Sequence, residues 1–366
     1  MKLTKKLRKL IASPIQVIDI SNGVVVKRGA TELMITGDGA AETVKKVLDL
    51  ATPPGISSED IRRLFTGSSS KLADKIIQQL LSRRLLVEDT ERTWSINRTE
   101  NAFDVFNWQL GEVTDLVIDR LTQVRITIIG VNVISKHLVM ALEASGCQNI
   151  SVLDHPAHRN QDFRTSDGIT SHHNWPEMYV QPKVWSDNCP ADLGDCLIAT
   201  SDYGERQALS HWNTVCLTQG IHFLPVTIRN MVGYVGPMVI PGETACYECL
   251  IYRQLSHSLF PDAEQCIDRF TSKGRTVTGF HPSMAVIVGA VAAFEIFKFY
   301  GFPESAREPG SLLDINLLGG SMTRRTVLKM PRCQSCSPFH NTSQPNLSRV
   351  LFTKQELKEW DTNTAL

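Results

Sequence analysis

The sequence predicts an α/β protein in two parts, in which a small N-terminal domain of strands and helices precedes a larger domain built on a parallel sheet. Three observations support this fold class: short strands followed by helical periodicity near the N-terminus, an apolar strand that ends in a glycine turn, and two Cys-x-x-Cys pairs in the C-terminal half. A chain of 366 residues has room for both domains.

Composition limits the classes of partner. Lys and Arg together number 38, as do Asp and Glu, so no net charge attracts the chain to nucleic acid or an anionic membrane. The basic N-terminus has too few apolar residues before Pro14 for a signal peptide. The apolar stretch from Met284 to Tyr300 is interrupted by Glu295 and Lys298, which favours a buried helix over a membrane span. With nine cysteines and no secretory signal, the expected location is the reducing cytoplasm.

The first 95 residues predict a winged helix-turn-helix. The segments IQVIDI, VVVKRG and TELMIT read as a meander of strands, with Asn22-Gly23 as a turn. Helical periodicity follows in three segments, and LLVED with TWSI predicts a wing hairpin. The three predicted helices are Ala40–Leu50, Ser57–Phe65 and Ser69–Leu81.

A winged helix can bind DNA or a peptide. The third helix carries Lys71 and Lys75, but Asp74 and two glutamines interrupt its basic face, and the edge of the meander can accept another strand. In its apolar series, around GVVVKRG, LMITGDGA and IIQQLLSRRLLVED, this domain resembles the peptide-recognition domain of maturation proteins for ribosomal peptide natural products. The resemblance implies that a precursor's leader peptide adds as a strand against the third helix. An unrelated or DNA-binding winged helix is the alternative.

Residues 101–121 read as a linking helix, within a predicted linker of 96–122, and lead into the second domain at 123–340. That domain opens with a nucleotide-binding pattern: a strand, a glycine turn, a helix, a second strand and Asp154 at its end. The three glycine positions of the turn are occupied by Gly130, Asn132 and Ser135. Asparagine tolerates a left-handed turn and serine is small, but the middle substitution crowds the place where a phosphate comes closest.

Two Cys-x-x-Cys pairs predict a metal site. Cys246/Cys249 and Cys333/Cys336 together supply four thiolates, the ligand count of a closed tetrahedral zinc site. Because no coordination position stays open, such a zinc ion is structural. Two unrelated thiol pairs, or a redox pair, are the alternatives. Cys266 is predicted to be an ordinary thiol.

The order of DCLIATSD, GPMVIPGETACYECL, SMAVIVGAVAAFEIFKFYG and CQSC resembles the E1-like superfamily of ThiF and MoeB. That resemblance implies a Rossmann-like domain in which the glycine turn and Asp154 bind ATP and Asp202 helps to hold Mg²⁺. Lys183, the only lysine between these two acids, is the candidate phosphate contact. Arg159 and Arg206 are the candidate side chains for neutralising the phosphate charge.

Both resemblances together imply a protein of peptide natural-product maturation. We predict an ATP-dependent, adenylating enzyme that binds the leader of a ribosomal precursor and activates a carboxylate or amide for ring formation. The alternative is a non-catalytic, leader-binding partner of a YcaO cyclodehydratase. A third class, a winged-helix regulator with a ligand-sensing domain, would need a cleaner basic helix. By resemblance we also expect a homodimer, with the 284–300 helix as either interface or monomer core, and a C-terminal tail at 341–366.

Overall fold

The computed structural model describes residues 9–65, 68–88, 101–158, 175–185, 192–202, 206–274, 279–304 and 307–338. The chain divides into two compact units. Unit 1 extends to Leu121 and includes Tyr300–Phe302, and unit 2 comprises Thr122–Phe299 and the chain from Pro303.

Unit 1 combines two small sheets with helices. Its strands are β1 (Lys9–Ala12), β2 (Gln16–Ile20), β3 (Gly23–Arg28), β4 (Thr31–Thr36), β5 (Ile56–Ser57) and β6 (Leu86–Glu88). Its helices are α1 (Ala40–Leu50), α2 (Ser58–Arg63), α3 (Ser68–Ser82), α4 (Ala102–Leu110) and α5 (Thr114–Gln123), the last of which extends just past the unit boundary. One sheet has the order β2-β3-β4 and the other β5-β1-β6.

The predicted meander and the three helices after it are confirmed. Strand β3 alternates between half-buried and buried residues, because every second side chain enters the core. Gly23 has φ +150°, and a Cβ there would lie 2.1 Å from the carbonyl oxygen of Ile35, so the hairpin requires glycine. β6 lies in the LLVED segment of the predicted wing hairpin and pairs with β1, whereas the TWSI segment lies outside the described residues.

The predicted linking helix is two helices. α4 begins at a capping box, in which the Asn101 side chain accepts from the backbone N–H of Asp104 and the Asp104 carboxylate accepts from the N–H of Asn101. It ends at Gly111, whose φ of +104° is a left-handed C-cap. The single helix predicted over 101–121 is therefore wrong, because glycine ends the first helix there.

Unit 2 is built on one eight-stranded sheet. Its strands are β7 (Arg125–Ile129), β8 (Asn149–Asp154), β9 (Lys183–Val184), β10 (Cys196–Ser201), β11 (His222–Arg229), β12 (Val232–Val235), β13 (Ser311–Asn316) and β14 (Ser321–Thr326). Its helices are α6 (Val133–Ala144), α7 (Arg206–Gln219), α8 (Tyr247–Ser256), α9 (Pro261–Gly274) and α10 (Pro282–Gly301), and a 3-10 turn spans Pro156–His158.

The sheet order is β14-β13-β12-β11-β10-β7-β8-β9. The five strands β11, β10, β7, β8 and β9 run parallel to one another. Each of the other three, β12, β13 and β14, runs antiparallel to its neighbours. All six residues of β10 are buried, as expected for a central parallel strand covered on both faces. The mixed α/β fold with a central, mostly parallel sheet is thus confirmed, and the carboxyl ends of β7, β8 and β10 meet at one edge.

α10 is long and apolar enough to cross a membrane, with a mean hydropathy of 1.6, but 56% of its most apolar window is buried within the protein. Buried core helices of soluble proteins have the same length and composition. Gly289 lies where α10 approaches α6, and a Cβ there would be 2.7 Å from the carbonyl oxygen of Ile134. This glycine permits close packing of the two helices.

Candidate functional site

The carboxyl edge of the parallel strands brings three predicted residues together. Gly130 follows β7 with φ +113°, and a Cβ there would lie 2.7 Å from Thr200 Oγ1, so this position requires glycine. Asp154 ends β8 and is fully buried, and Asp202 follows β10 and is 2% exposed. The sheet therefore aligns the turn and both acids as the sequence predicted.

The other two turn positions are occupied by their own side chains. Asn132 is the N-cap of α6, and its Oδ1 accepts from the backbone N–H of Ser135 at 3.0 Å. The Ser135 hydroxyl oxygen in turn accepts from the N–H of Asn132 at 3.0 Å, which completes a capping box. Asn132 Nδ2 donates to Thr200 Oγ1 at 2.9 Å, and both side chains are fully buried. The second and third positions therefore do not fit a nucleotide phosphate.

His158, which sequence reasoning missed, holds this loop from the other side. Its ring Nδ1 lies 3.0 Å from the carbonyl oxygen of Thr200, and its Nε2 accepts from the indole N–H of Trp212 at 3.1 Å. Because Nε2 is an acceptor, Nδ1 carries the proton and donates to Thr200. Burial, followed by the proximity of His155, lowers the pKa of His158 to about 3, so the ring is neutral.

Aromatic rings cover the same edge next to Asp154. His155 lies 5.1 Å from Trp185 and 5.6 Å from Trp212, and the two tryptophan rings are 5.2 Å apart, each pair edge to face. Such pairs add to the stability of buried apolar contacts. In the sequence, only the positions of His155 and Trp185 directly after strands hinted at this cluster.

Two of the predicted basic residues, Lys183 and Arg206, lie among the described residues. Lys183 lies in β9, the edge strand, and is exposed. Arg206 starts α7 and pairs with Asp268 of α9 at 2.6 Å, and Arg229 pairs with the same carboxylate at 3.0 Å. Because carboxylates already balance its charge, Arg206 serves to hold α9. Arg159 lies outside the described residues.

The four predicted cysteines form one cluster. Sγ–Sγ distances are 3.5 Å for Cys249–Cys336, 3.6 Å for Cys246–Cys333 and 3.9 Å for Cys246–Cys249, and all four sulfurs lie within 4.8 Å of one another. In a tetrahedron with Zn–S bonds of about 2.3 Å, sulfurs are about 3.8 Å apart. The cluster therefore fits a four-coordinate zinc ion.

Hydrogen bonds favour the thiolate form of one of the four cysteines, Cys249. The thiol of Cys246 and the backbone N–H of Met330 donate to the sulfur of Cys249, and both lower the pKa of the Cys249 thiol. A lowered pKa favours the thiolate, the form that binds metal.

The N–H of Tyr247, in the first turn of α8, donates to the Asn213 side chain at 2.9 Å and holds this helix against α7.

Unit 1 has a second candidate site at the outer edge of β4, which pairs with no second strand in the described part of the chain. Arg83, just after α3, donates to the carbonyl oxygen of Glu32 at 3.3 Å, so this carbonyl points away from β3. Since backbone groups alternate along a strand, those of Met34 and Thr36 point outward too, whereas Leu33 and Ile35 pair with β3. The outer side chain of Met34 is 66% exposed. This edge can accept a further strand next to α3.

Comparisons with known proteins identify the fold. No protein-family model and no curated protein matches the sequence. Among solved structures, Escherichia coli MccB matches with a TM-score of 0.62 and 16% identity over 90% of this chain and 97% of that chain. The heterocyclase TruD matches with a TM-score of 0.57 and 18% identity over 90% of this chain and 43% of TruD. MccB was also solved with ATP and with MccA. The resemblance indicated by the sequence is confirmed at the level of fold.

Proposed function

We propose that this chain takes part in the maturation of a ribosomal precursor peptide, whose leader it binds by adding a strand to β4. The observation that carries the proposal is the outer edge of β4, which pairs with no second strand among the described residues and where the backbone groups of Met34 and Thr36 point outward. Strand addition uses backbone hydrogen bonds for affinity and side-chain pockets for specificity. The match to MccB, a protein solved together with MccA, supports the same role.

The chemistry next to β4 favours a peptide over DNA. Half-buried Ile35 and Leu72 offer apolar contacts to an added strand. Exposed Lys71 and Lys75 on α3 favour acidic leader side chains, but Asp74 lies between them, which weakens a phosphate-binding face. Under this proposal residues 1–95 form the winged helix-turn-helix, 96–122 the linker, 123–340 the E1-like domain and 341–366 a tail.

Unit 2 supports two candidate roles. The first is ATP-dependent activation of a carboxylate or amide in the bound peptide, with Asp202 and Arg159 in catalysis. Its support is the position of Asp154 and Asp202 at the carboxyl ends of β8 and β10, the two strands that flank β7, and the match to MccB, which was solved with ATP. We derive no reaction step for this activating role, because the second and third positions of the glycine turn do not fit a phosphate.

The second role is that of a non-catalytic partner that presents the peptide to a separate YcaO cyclodehydratase. The specific observation in its favour is the turn itself, where Asn132 and Ser135 cap each other and Asn132 is tied to Thr200. This chain also matches only 43% of the length of TruD, a heterocyclase. The remaining part of TruD has no counterpart here, which supports a role as the partner of a separate protein. We therefore favour the presenting role.

A structural Zn²⁺ at the four cysteines is part of the proposal. It would join α8 to the segment that follows β14 and would leave no position for substrate. Free thiols at this site agree with a reducing cytoplasm. Exposed apolar side chains on α10, namely Val286, Ile287 and Phe294, support a homodimer interface.

Leader binding is testable with the full chain and a labelled peptide. The probe is the N-terminal half of a short precursor encoded next to this gene, and anisotropy gives its Kd. In Met34→Pro the outward N–H is lost without breaking the β3 pairing, so we expect binding at least about tenfold weaker. The matched control is Val17→Pro, since the N–H of Val17 points outward at the opposite edge, from β2. Equal Kd values for both variants would refute strand addition at β4.

A further inference from the structure

We infer that Asn132 and Ser135 form an internal plug in the glycine turn, which excludes nucleotide from this chain, and that removing the two side chains opens the turn to MgATP. The inference goes beyond the proposed leader binding and does not depend on it. Two side chains of unit 2 would thus keep nucleotide out of the turn, and their substitution by glycine would let it bind.

The first turn of α6 has two of its backbone donors already bonded to side chains. A phosphate at a helix N-terminus is bound by the free backbone N–H groups of the first turn. Here the N–H of Asn132 donates to the Ser135 hydroxyl, and the N–H of Ser135 donates to Asn132 Oδ1, both at 3.0 Å. A phosphate that used these two N–H groups would have to displace both bonds, so the turn offers it fewer donors than a turn with glycine at these positions.

The Asn132 side chain also occupies the space inside the turn. The Asn132 side chain is fully buried, and its Nδ2 lies 3.0 Å from the place where a Cβ of Gly130 would be. The same Nδ2 donates to Thr200 Oγ1 at 2.9 Å and lies 3.3 Å from the carbonyl oxygens of Thr200 and His158. The amide thus fills the turn and is bonded on two sides, so it does not swing aside without losing these bonds.

Thr200 and His158 hold the Asn132 side chain in place. Thr200 Oγ1 donates to the carbonyl oxygen of Ile129, so its lone pairs are directed at the Asn132 amide. His158 is itself held by Trp212, and its ring donates to the Thr200 carbonyl. Among the described groups that hydrogen-bond to the Asn132 side chain, none carries a positive charge that would attract phosphate. Asn132, Thr200, His158 and Trp212 thus form a continuous chain of hydrogen-bonded, uncharged side chains.

The test uses the zinc-loaded full chain and MgATP as the probe. Calorimetry and ligand-dependent thermal unfolding are measured for the wild type and for the double variant Asn132→Gly/Ser135→Gly, which restores glycine at both positions. We expect no saturable binding by the wild type up to about 5 mM MgATP, and a Kd for the double variant at least about tenfold lower than that limit. The matched control is Asn101→Gly, which removes the same kind of capping box from α4 in unit 1 and should leave nucleotide binding absent.

Two results overturn the inference: a wild-type Kd below about 1 mM, or a folded double variant that binds MgATP no better than the wild type. Circular dichroism and zinc content establish folding. If the double variant does not fold, the same criterion applies to Asn132→Gly, because glycine is among the better tolerated N-cap residues. Leader affinity, measured on the same samples, stays at the wild-type value, so failure here is distinguishable from failure of the proposed function.

Discussion

Lowering the pH should destabilise unit 2 through His158. Burial lowers the pKa of this ring from 6.5 to about 3 in the folded protein. Between these two values the unfolded chain binds a proton that the folded chain does not, so stability falls as the pH falls. The stability that depends on a neutral His158 is fully present above pH 6.5 and is lost progressively as the pH falls toward 3.

The magnitude follows from the two pKa values. A pH of 5 lies about one and a half pH units below the unfolded pKa, and each unit corresponds to about 1.4 kcal/mol, so His158 alone removes about 2 kcal/mol from the free energy of unfolding between pH 7 and pH 5. Burial also lowers the pKa of His137 and His222, and both add to the wild-type loss in the same direction.

The assay is urea unfolding at pH 7 and pH 5 with excess zinc, so that metal release does not dominate. Hydrogen exchange of β10 and α7 reports on unit 2. In His158→Gln, which cannot titrate, the pH dependence should be smaller than in the wild type by about 2 kcal/mol. His257→Gln, at an exposed position, is the control and should behave as the wild type. An identical pH dependence in His158→Gln and the wild type would refute a neutral, buried His158.

Three further predictions concern the metal, the peptide and the acids. Purified protein should contain one Zn²⁺ per chain, and Cys333→Ser should lose it and unfold at lower temperature, because metal-binding energy is folding energy. A protein that elemental analysis shows to be free of zinc but that has normal thermal stability would contradict this. Leader affinity should change little between about 50 and 200 mM salt, whereas duplex DNA binding over that range would fall by orders of magnitude. With the precursor present, we expect no ATP-dependent pyrophosphate release by the wild type; a release that drops about 10²-fold in Asp202→Asn would establish the activating role instead.

Local patterns determined much of the fold in advance. The meander of unit 1, its three helices and the strand–turn–helix start of unit 2 follow from side-chain periodicity and glycine positions, which depend on residues close in sequence. The four cysteines were predictable for another reason. Although Cys246 and Cys333 are 87 residues apart, two thiol pairs of this spacing share a recognisable chemical requirement, a common metal.

Only the tertiary structure decided what the turn and the basic residues do. The Asn132 side chain donates a hydrogen bond to Thr200, 68 residues away, and His158 accepts one from Trp212, 54 residues away. Arg206 is a candidate phosphate contact in the sequence but an ion-pair partner of Asp268 in the fold. A polar side chain's role depends on which group satisfies it, and the packing of distant segments supplies that group. The sequence therefore determined the sheet and the cysteine cluster, whereas the tertiary structure determined that the turn is closed.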